Sequence, residues 1–164
     1  MLQRDHLMRQ ILAFFKALAK IMSKKNDGLY VEALELIEET VSMDEEMAQV
    51  FAASLPDFFA QVEYMDPFVV DKWTVAAEIM YEQADIQQRL DNMEASYISY
   101  VKTAHLLLEI MLTDPEKFRA KEVGRLKQIV KAFGEDMLPA PTQVLWEDFK
   151  KTFESESGKE NPGH

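Results

Sequence analysis

Three carboxylates at helical spacing are the first residues in this sequence that could do chemistry. Glu78, Glu82 and Asp85 follow one another at intervals of four and three residues, which places them on one face of an α-helix. Such a set could hold a divalent cation, serve acid–base chemistry, or form an acidic groove for a basic partner segment. A solvated helix face is the simplest interpretation, because no histidine or carboxylate from another helix can be matched to them. We predict no metal and no catalytic role, and we retain the three residues as candidate partner-binding residues.

The histidines add little to this chemistry. His6, His105 and His164 lack the spacing of zinc or di-iron motifs, and the pairing of His105 with Glu109 four residues later is a weak signal. The glycines are too scattered for a phosphate-binding loop, and cysteine is absent. We therefore expect no cofactor and no enzymatic activity. The alternative is a small-molecule sensor or enzyme with an inter-helix pocket, which needs polar residues converging in an apolar cavity.

Charge is distributed unevenly along the 164 residues. The net charge is −11, with six Lys/Arg in residues 1–25 and seventeen Asp/Glu in residues 26–95. The acidic middle would repel nucleic acid, so we expect a protein partner, which could be basic, and no nucleic-acid partner. The basic start could also contact a second copy, which leaves homo-oligomerisation open. The sequence contains no apolar run of about 18 residues, so we expect no membrane span. The lack of cysteine fits a reducing cytoplasm.

The elements that position these residues are predicted to be helices. Apolar residues recur at helical spacing, and no alternating strand pattern of useful length occurs. The main predicted helices span Gln3–Lys25, Leu29–Val41, Asp44–Ala53, Pro67–Leu90, Met93–Leu112, Pro115–Phe133 and a last segment that ends at Phe153, with one or two helical turns over Phe58–Tyr64. Residues 1–153 should form a single helical-repeat domain, followed by a polar, flexible tail over residues 154–164.

Several local features define these helices more closely. Ser42 and Glu45 are spaced as a capping box for the third helix, and Thr142 is a candidate cap for the last. The first helix has one broad apolar face that includes Met8 and Phe15, and we expect this face to pack inside.

A pattern of small, bulky and small residues occurs twice, 63 residues apart. The six residues are Ala33, Ile37 and Thr40 in the second helix, and Ser96, Tyr100 and Thr103 in the fifth. Small side chains at fixed helical positions let a neighbouring helix approach closely, so we expect these repeat-packing residues to hold antiparallel helical hairpins together.

The first copy of this pattern resembles the tetratricopeptide-repeat family. Gly28-Leu29-Tyr30 is similar to the family's turn into its second helix, and the small, bulky and small positions follow. Two segments, Met1–Ile11 and Tyr30–Leu34, also resemble a family of uncharacterised bacterial tetratricopeptide-like proteins. This second resemblance covers roughly residues 1–150. The resemblance implies about six to seven helices, stacked as antiparallel hairpins in a short right-handed superhelix. It further implies a non-enzymatic protein–protein interaction scaffold, with the first helix of each hairpin lining a concave face.

Overall fold

A computed structural model describes residues 2–63, 66–117 and 120–160, and within these ranges the chain forms eight α-helices and no strand. The helices are α1 (Leu2–Asn26), α2 (Tyr30–Ser42), α3 (Glu45–Ala52), α4 (Leu55–Val62), α5 (Val70–Arg89), α6 (Met93–Thr113), α7 (Ala120–Phe133) and α8 (Ala140–Glu160). Short 3₁₀ segments at Pro67–Val69, Pro115–Lys117 and Glu135–Met137 precede α5, α7 and α8. The all-α prediction is confirmed, and the predicted number of helices is close to the observed one. None of the described helices has both the length and the apolar character needed to cross a membrane.

The helices stack around a central hairpin formed by α5 and α6. α5 and α6 form the most extensive contact between elements, with α1 and α2 packed on α5, and α7 and α8 packed on α6. The short helices α3 and α4 connect the first hairpin to the second and contact α2 and α6 respectively. α1 and α5 are the first helices of the two packed hairpins, and together with α7, which packs on α6, they are called here the leading helices.

The first two hairpins turn in the same way. Gly28 and Asp91, 63 residues apart, both adopt a left-handed backbone conformation, with φ of 77° and 60°. In each turn the amide of the following residue bonds back to the helix, Leu29 N to Lys24 O and Asn92 N to Gln87 O, both at 2.9 Å. This is the hydrogen-bond pattern of a Schellman motif, which satisfies the last carbonyls of a helix. The repeat in the sequence therefore extends to the backbone of the turn.

The repeat-packing positions lie mostly in the interior. Ala33, Ile37, Thr40, Ser96 and Thr103 are buried, whereas Tyr100 is only partly buried. Ser96 Oγ donates a hydrogen bond of 2.8 Å to Ala84 O, which joins α6 to α5 across the second hairpin. A small residue at this position thus brings the two helix backbones close enough to share a side-chain hydrogen bond.

Two predicted helix starts are wrong. Asp44, not Ser42, caps α3: its Oδ1 accepts a 2.8 Å hydrogen bond from Met47 N, while Ser42 Oγ donates to Glu39 O. The short helix predicted over Phe58–Tyr64 begins earlier, at Leu55, with Pro56 in its first turn, where the missing N–H costs no hydrogen bond. Ser54 caps this helix, and α4 is therefore a complete short helix.

The two ends of the fold also differ from expectation. Ile11 and Phe14 of α1 are buried, but Met8 and Phe15 are 50% and 44% exposed, so the inward face is narrower than predicted. The reason is that, among the described elements, α1 has extensive contacts with α2 and α5 alone. At the other end α8 continues to Glu160, beyond the predicted boundary, and residues 161–164 of the predicted tail lie outside the described residues.

Candidate functional site

The three candidate carboxylates lie on α5, between α1 and α7. Glu78 is 3% exposed and Glu82 is 1% exposed, so the interpretation as a solvated helix face is wrong for both. The reason is that α5 is the middle leading helix, and basic side chains from both neighbouring leading helices reach its carboxylates. Periodicity within one helix cannot reveal partners that come from elsewhere in the chain.

Lys25 connects α1 to α5. Its Nζ lies 2.5 Å from Glu82 Oε2 and 2.9 Å from Asp85 Oδ2. Asp85 Oδ2 also lies 3.3 Å from Arg89 Nε, one turn further along α5. Burial alone would lower the pKa of Lys25, but its hydrogen bonds to Glu82 and Asp85 outweigh this effect, and the pKa is raised. Lys25 is therefore charged at neutral pH and neutralises part of the acidic face.

Arg125 and Lys121 connect α7 to α5. Arg125 Nε lies 3.2 Å and Lys121 Nζ lies 3.4 Å from the same oxygen, Glu78 Oε2. Arg125 Nη2 is also 4.0 Å from Glu82 Oε1. Within the described ranges, the buried Glu78 Oε1 has no hydrogen-bond partner. These contacts make the leading helices depend on one another, because a buried charge that loses its partner is strongly destabilising.

The resulting ionic cluster is close to neutral. Its members are the carboxylates of Glu78, Glu82 and Asp85 and the cations Lys25, Arg89, Lys121 and Arg125. A basic partner would have to displace one of these cations before it could contact a buried carboxylate. Partner binding by the three carboxylates stays a prediction, and their direct contacts are with α1 and α7.

An aromatic groove lies beside the ionic cluster, where α5, α6 and α7 meet. Its volume is about 370 Å³, and its lining includes Tyr81, Tyr100, Phe133, Met93, Gln88 and Gln128. The ring centroids of Tyr81 and Tyr100 are 5.8 Å apart, as are those of Tyr100 and Phe133. The Arg125 guanidinium of the ionic cluster stacks over the Tyr81 ring at 4.0 Å. The groove can therefore accept a large apolar side chain against fixed aromatic walls.

Polar groups border this groove. Tyr100 Oη donates a hydrogen bond of 3.3 Å to Gln88 Oε1. Burial, and then the negative charge of Asp85, raise the pKa of Tyr100, so the hydroxyl keeps its proton at neutral pH. Gln128 is exposed at the edge of the groove. The amides of Gln88 and Gln128 can both donate and accept hydrogen bonds, which suits the backbone of a bound peptide.

A second candidate site is a cavity between α4, α6 and α8 that contains His105. His105 Nδ1 is 3.0 Å from Thr142 Oγ1, and its Nε2 is 3.8 Å from Glu109 Oε1. Thr142, the predicted cap of the last helix, is buried in the first turn of α8, because this helix begins at Ala140. The structure thus brings together a histidine and a glutamate whose spacing is a weak signal, and adds a threonine that no sequence pattern connects to them.

The aromatic groove and this cavity both escape sequence reasoning. Tyr81, Tyr100 and Phe133 come from three different helices, and each lies beside core residues in its own helical pattern. Among the described residues, no group of three or more acidic or histidine side chains is arranged to hold a metal ion.

Comparison with known proteins adds no relative. The chain matches no protein-family model, and no curated protein or solved structure has significant similarity to it.

Proposed function

We propose that this chain is a non-enzymatic protein–protein interaction scaffold, built of tetratricopeptide-like hairpins, that binds a peptide or helix in the aromatic groove. The observation that carries the proposal is an open groove of about 370 Å³ bounded by Tyr81, Tyr100 and Phe133. Binding energy at protein interfaces is concentrated in a few large side chains that fill such recesses. The occupant we infer is a segment with an aromatic or long aliphatic anchor.

Charge decides what flanks this anchor. The net charge of −11 attracts basic segments over long distances and raises their association rate. At contact distance the ionic cluster gives little further attraction, because its carboxylates already pair with Lys25 and Arg125. The preferred ligand therefore combines an apolar anchor with flanking Lys or Arg, and the groove rather than the acidic line determines its specificity. A cytoplasmic location stays a prediction from the sequence.

Self-association is the second part of the proposal, and α1 supports it. Met8, Leu12 and Phe15 form an exposed stripe along this helix, here called the α1 stripe, and all three are at least 44% exposed. Basic side chains at Arg9, Lys16 and Lys20 lie next to it and are exposed, and α2 presents exposed acids at Glu35, Glu38 and Glu39. A second copy can place its acidic α2 on the basic side of α1, and twofold symmetry makes the same contact twice.

A peptide library tests the groove directly. Random peptides displayed on phage should be enriched for an aromatic or long aliphatic residue next to Lys or Arg. Ala132 is exposed and lines the groove, so Ala132→Trp fills the groove without disturbing the core. Selected peptides should bind this variant at least about tenfold more weakly, because the anchor is excluded.

Ala13→Trp is the matched control, because Ala13 is exposed on α1, away from the groove. It should bind the same peptides as the unmodified protein does. Failure of the library to enrich any peptide, or equal binding to Ala132→Trp, would overturn the proposal.

A further inference from the structure

The cavity at His105 has the size and lining of a small-molecule site. It has a volume of about 440 Å³, within the range of ligand pockets in proteins. Its apolar walls are formed by Phe59 and Ala60 of α4 and by Val144 and Leu145 of α8. Together with His105 and Glu109 of α6, these residues line a cavity that is open to solvent on one side, where Val144 is 61% exposed.

His105 is fixed in this cavity with one ring nitrogen unused. The residue is 3% exposed, and its ring packs against Phe59, with the centroids 4.5 Å apart. Thr142 Oγ1 engages Nδ1 at 3.0 Å, whereas Glu109 Oε1, at 3.8 Å, is beyond hydrogen-bond distance from Nε2. Within the described ranges, Nε2 therefore keeps a free hydrogen-bonding position. A ligand that donates a hydrogen bond to Nε2 selects the tautomer in which Nδ1 carries the proton and donates it to Thr142 Oγ1.

The ionisable groups that line the cavity can give it only negative charge at neutral pH. Glu63 follows the last residue of α4 and Glu109 lies on α6, and both line the cavity. Burial lowers the pKa of His105 to about 4, so at neutral pH its ring carries no charge to balance them. Burial, and then the charge of Glu63, raise the pKa of Glu109 to about 7. The cavity residues of α8 are apolar, so that helix adds no titratable group to the lining.

We propose that this cavity binds a small organic ammonium ion, a primary amine on an apolar body, which donates hydrogen bonds to His105 Nε2 and to the Glu109 carboxylate. The apolar body lies against Val144 and Leu145, and the cation is attracted by both Glu63 and the face of Phe59. A carboxylate ligand is excluded by Glu63. A bare metal ion fits poorly, because the lining is largely apolar and the described residues provide no three-ligand group. This site goes beyond the scaffold function and does not depend on it.

The proposal makes binding depend on pH. The ammonium group stabilises the ionised form of Glu109, so binding releases a proton wherever Glu109 is protonated in the free protein. Affinity should therefore rise about tenfold between pH 6 and pH 8, as the ionised fraction of Glu109 increases. Above pH 8 the rise should level off.

Calorimetric titration with three probes of equal length tests the site. Hexylamine, hexanoate and 1-hexanol share an apolar body and differ in the polar group. Hexylamine should bind to the unmodified protein, and the other two should bind at least about tenfold more weakly. Glu109→Gln removes the titrating carboxyl, so it should weaken hexylamine binding about tenfold and abolish the pH dependence. Ala60→Trp, which fills the cavity from an exposed position, should abolish binding.

Two control variants keep the test specific. Glu147→Gln makes the same change of charge at an exposed position on α8 that does not line the cavity, and Ala13→Trp adds the same indole elsewhere. Both should bind hexylamine as the unmodified protein does. Equal binding of the alcohol or of hexanoate, unaltered binding to Ala60→Trp, or no binding of hexylamine at all would each overturn the proposal.

Discussion

His105 and Glu109 are adjacent groups whose pKa values are displaced from their ordinary values in opposite directions, because burial disfavours charge on both. Groups with displaced pKa values are concentrated at functional sites. As the pH rises, ionisation of Glu109 should lower the free energy of unfolding, whereas loss of the proton from His105 should raise it. Measurements at different pH values can separate the two effects.

The first prediction concerns Glu109→Gln. The pKa of Glu109 is about 7 in the folded chain and ordinarily 4.5, so the folded state holds more protons between these values. The free energy of unfolding should therefore fall as the pH rises from about 4.5 through about 7, by about 1–3 kcal/mol. The glutamine side chain cannot ionise, so the variant should be more stable than the unmodified protein at pH 8 and similar to it at pH 5. Urea unfolding at both pH values measures the difference.

The histidine does not obscure this comparison. Because the pKa of His105 is lowered to about 4, its contribution to stability rises with pH between about 4 and 6.5. Both proteins share that contribution, so it cancels in their difference. Glu147→Gln serves as the control and should change stability equally at the two pH values. If the free energies of unfolding of Glu109→Gln and the unmodified protein differ by the same amount at pH 5 and pH 8, the raised pKa of Glu109 is contradicted.

At the scale of the helices, the turns are more predictable than the caps. Gly28 follows a helix and precedes another, which is a strong turn signal, and Asp91 is recognised by its place in the repeat. The start of α3 is harder to predict because Ser42 and Glu45 satisfy a capping box in the sequence, whereas two of the three partners of Asp44 come from other helices of the folded chain. Gln10 Nε2 lies 2.7 Å and Lys72 Nζ lies 2.8 Å from Asp44 Oδ2, and Met47 N bonds to Oδ1.

The second prediction compares the two candidate caps of α3. Asp44→Ala removes a cap and leaves the buried Lys72 with a distant, exposed partner at Glu46, 3.6 Å away. It should lower the free energy of unfolding by more than about 2 kcal/mol, whereas Ser42→Ala should cost less than about 0.5 kcal/mol. Urea unfolding at neutral pH measures both.

The pH dependence of the cap gives a further check. Burial would raise the pKa of Asp44, but hydrogen bonds from Lys72 and Met47 N outweigh it, and the pKa is lowered from 3.8. The stability that Asp44 contributes is thus present above pH 3.8 and is lost as the pH falls below it. If Asp44→Ala and Ser42→Ala lower the free energy of unfolding equally at neutral pH, Asp44 is not the main cap of α3, and the capping box predicted from the sequence is favoured.

At the scale of the whole molecule, helical periodicity predicts the fold, whereas the distribution of charge along the sequence does not predict the ion pairs. The all-α class and the stack of hairpins follow from periodicity and from turns such as Gly28, which are local properties of the sequence. The ionic cluster does not follow, since Glu82 pairs with Lys25 and Arg125, residues that lie far from it along the chain. For the same reason, three of the seventeen acids of residues 26–95 pair with cations from other helices and add little to an exposed acidic surface, namely Asp44, Glu78 and Glu82.

The last prediction concerns the α1 stripe and whether two copies associate through it. Solenoid proteins expose apolar surface at their ends unless a polar face covers it, and Met8, Leu12 and Phe15 remain exposed on α1. Sedimentation velocity over a roughly hundredfold range of concentration should show a reversible dimer. Leu12→Glu places a charge in the middle of the stripe and should give a monomer at every concentration. High salt should weaken the dimer of the unmodified protein without abolishing it, because the attraction of α1 for an acidic α2 is screened whereas apolar burial is not.

Met137→Glu is the matched control for this prediction. Met137 is 65% exposed, as an apolar side chain in the 3₁₀ segment before α8, so the variant makes the same change at the other end of the fold. It should dimerise as the unmodified protein does, because the α1 stripe is untouched. A monomeric unmodified protein would disprove association through α1. If Leu12→Glu dimerises with the same affinity as Met137→Glu, the dimer contact lies on a surface other than the α1 stripe.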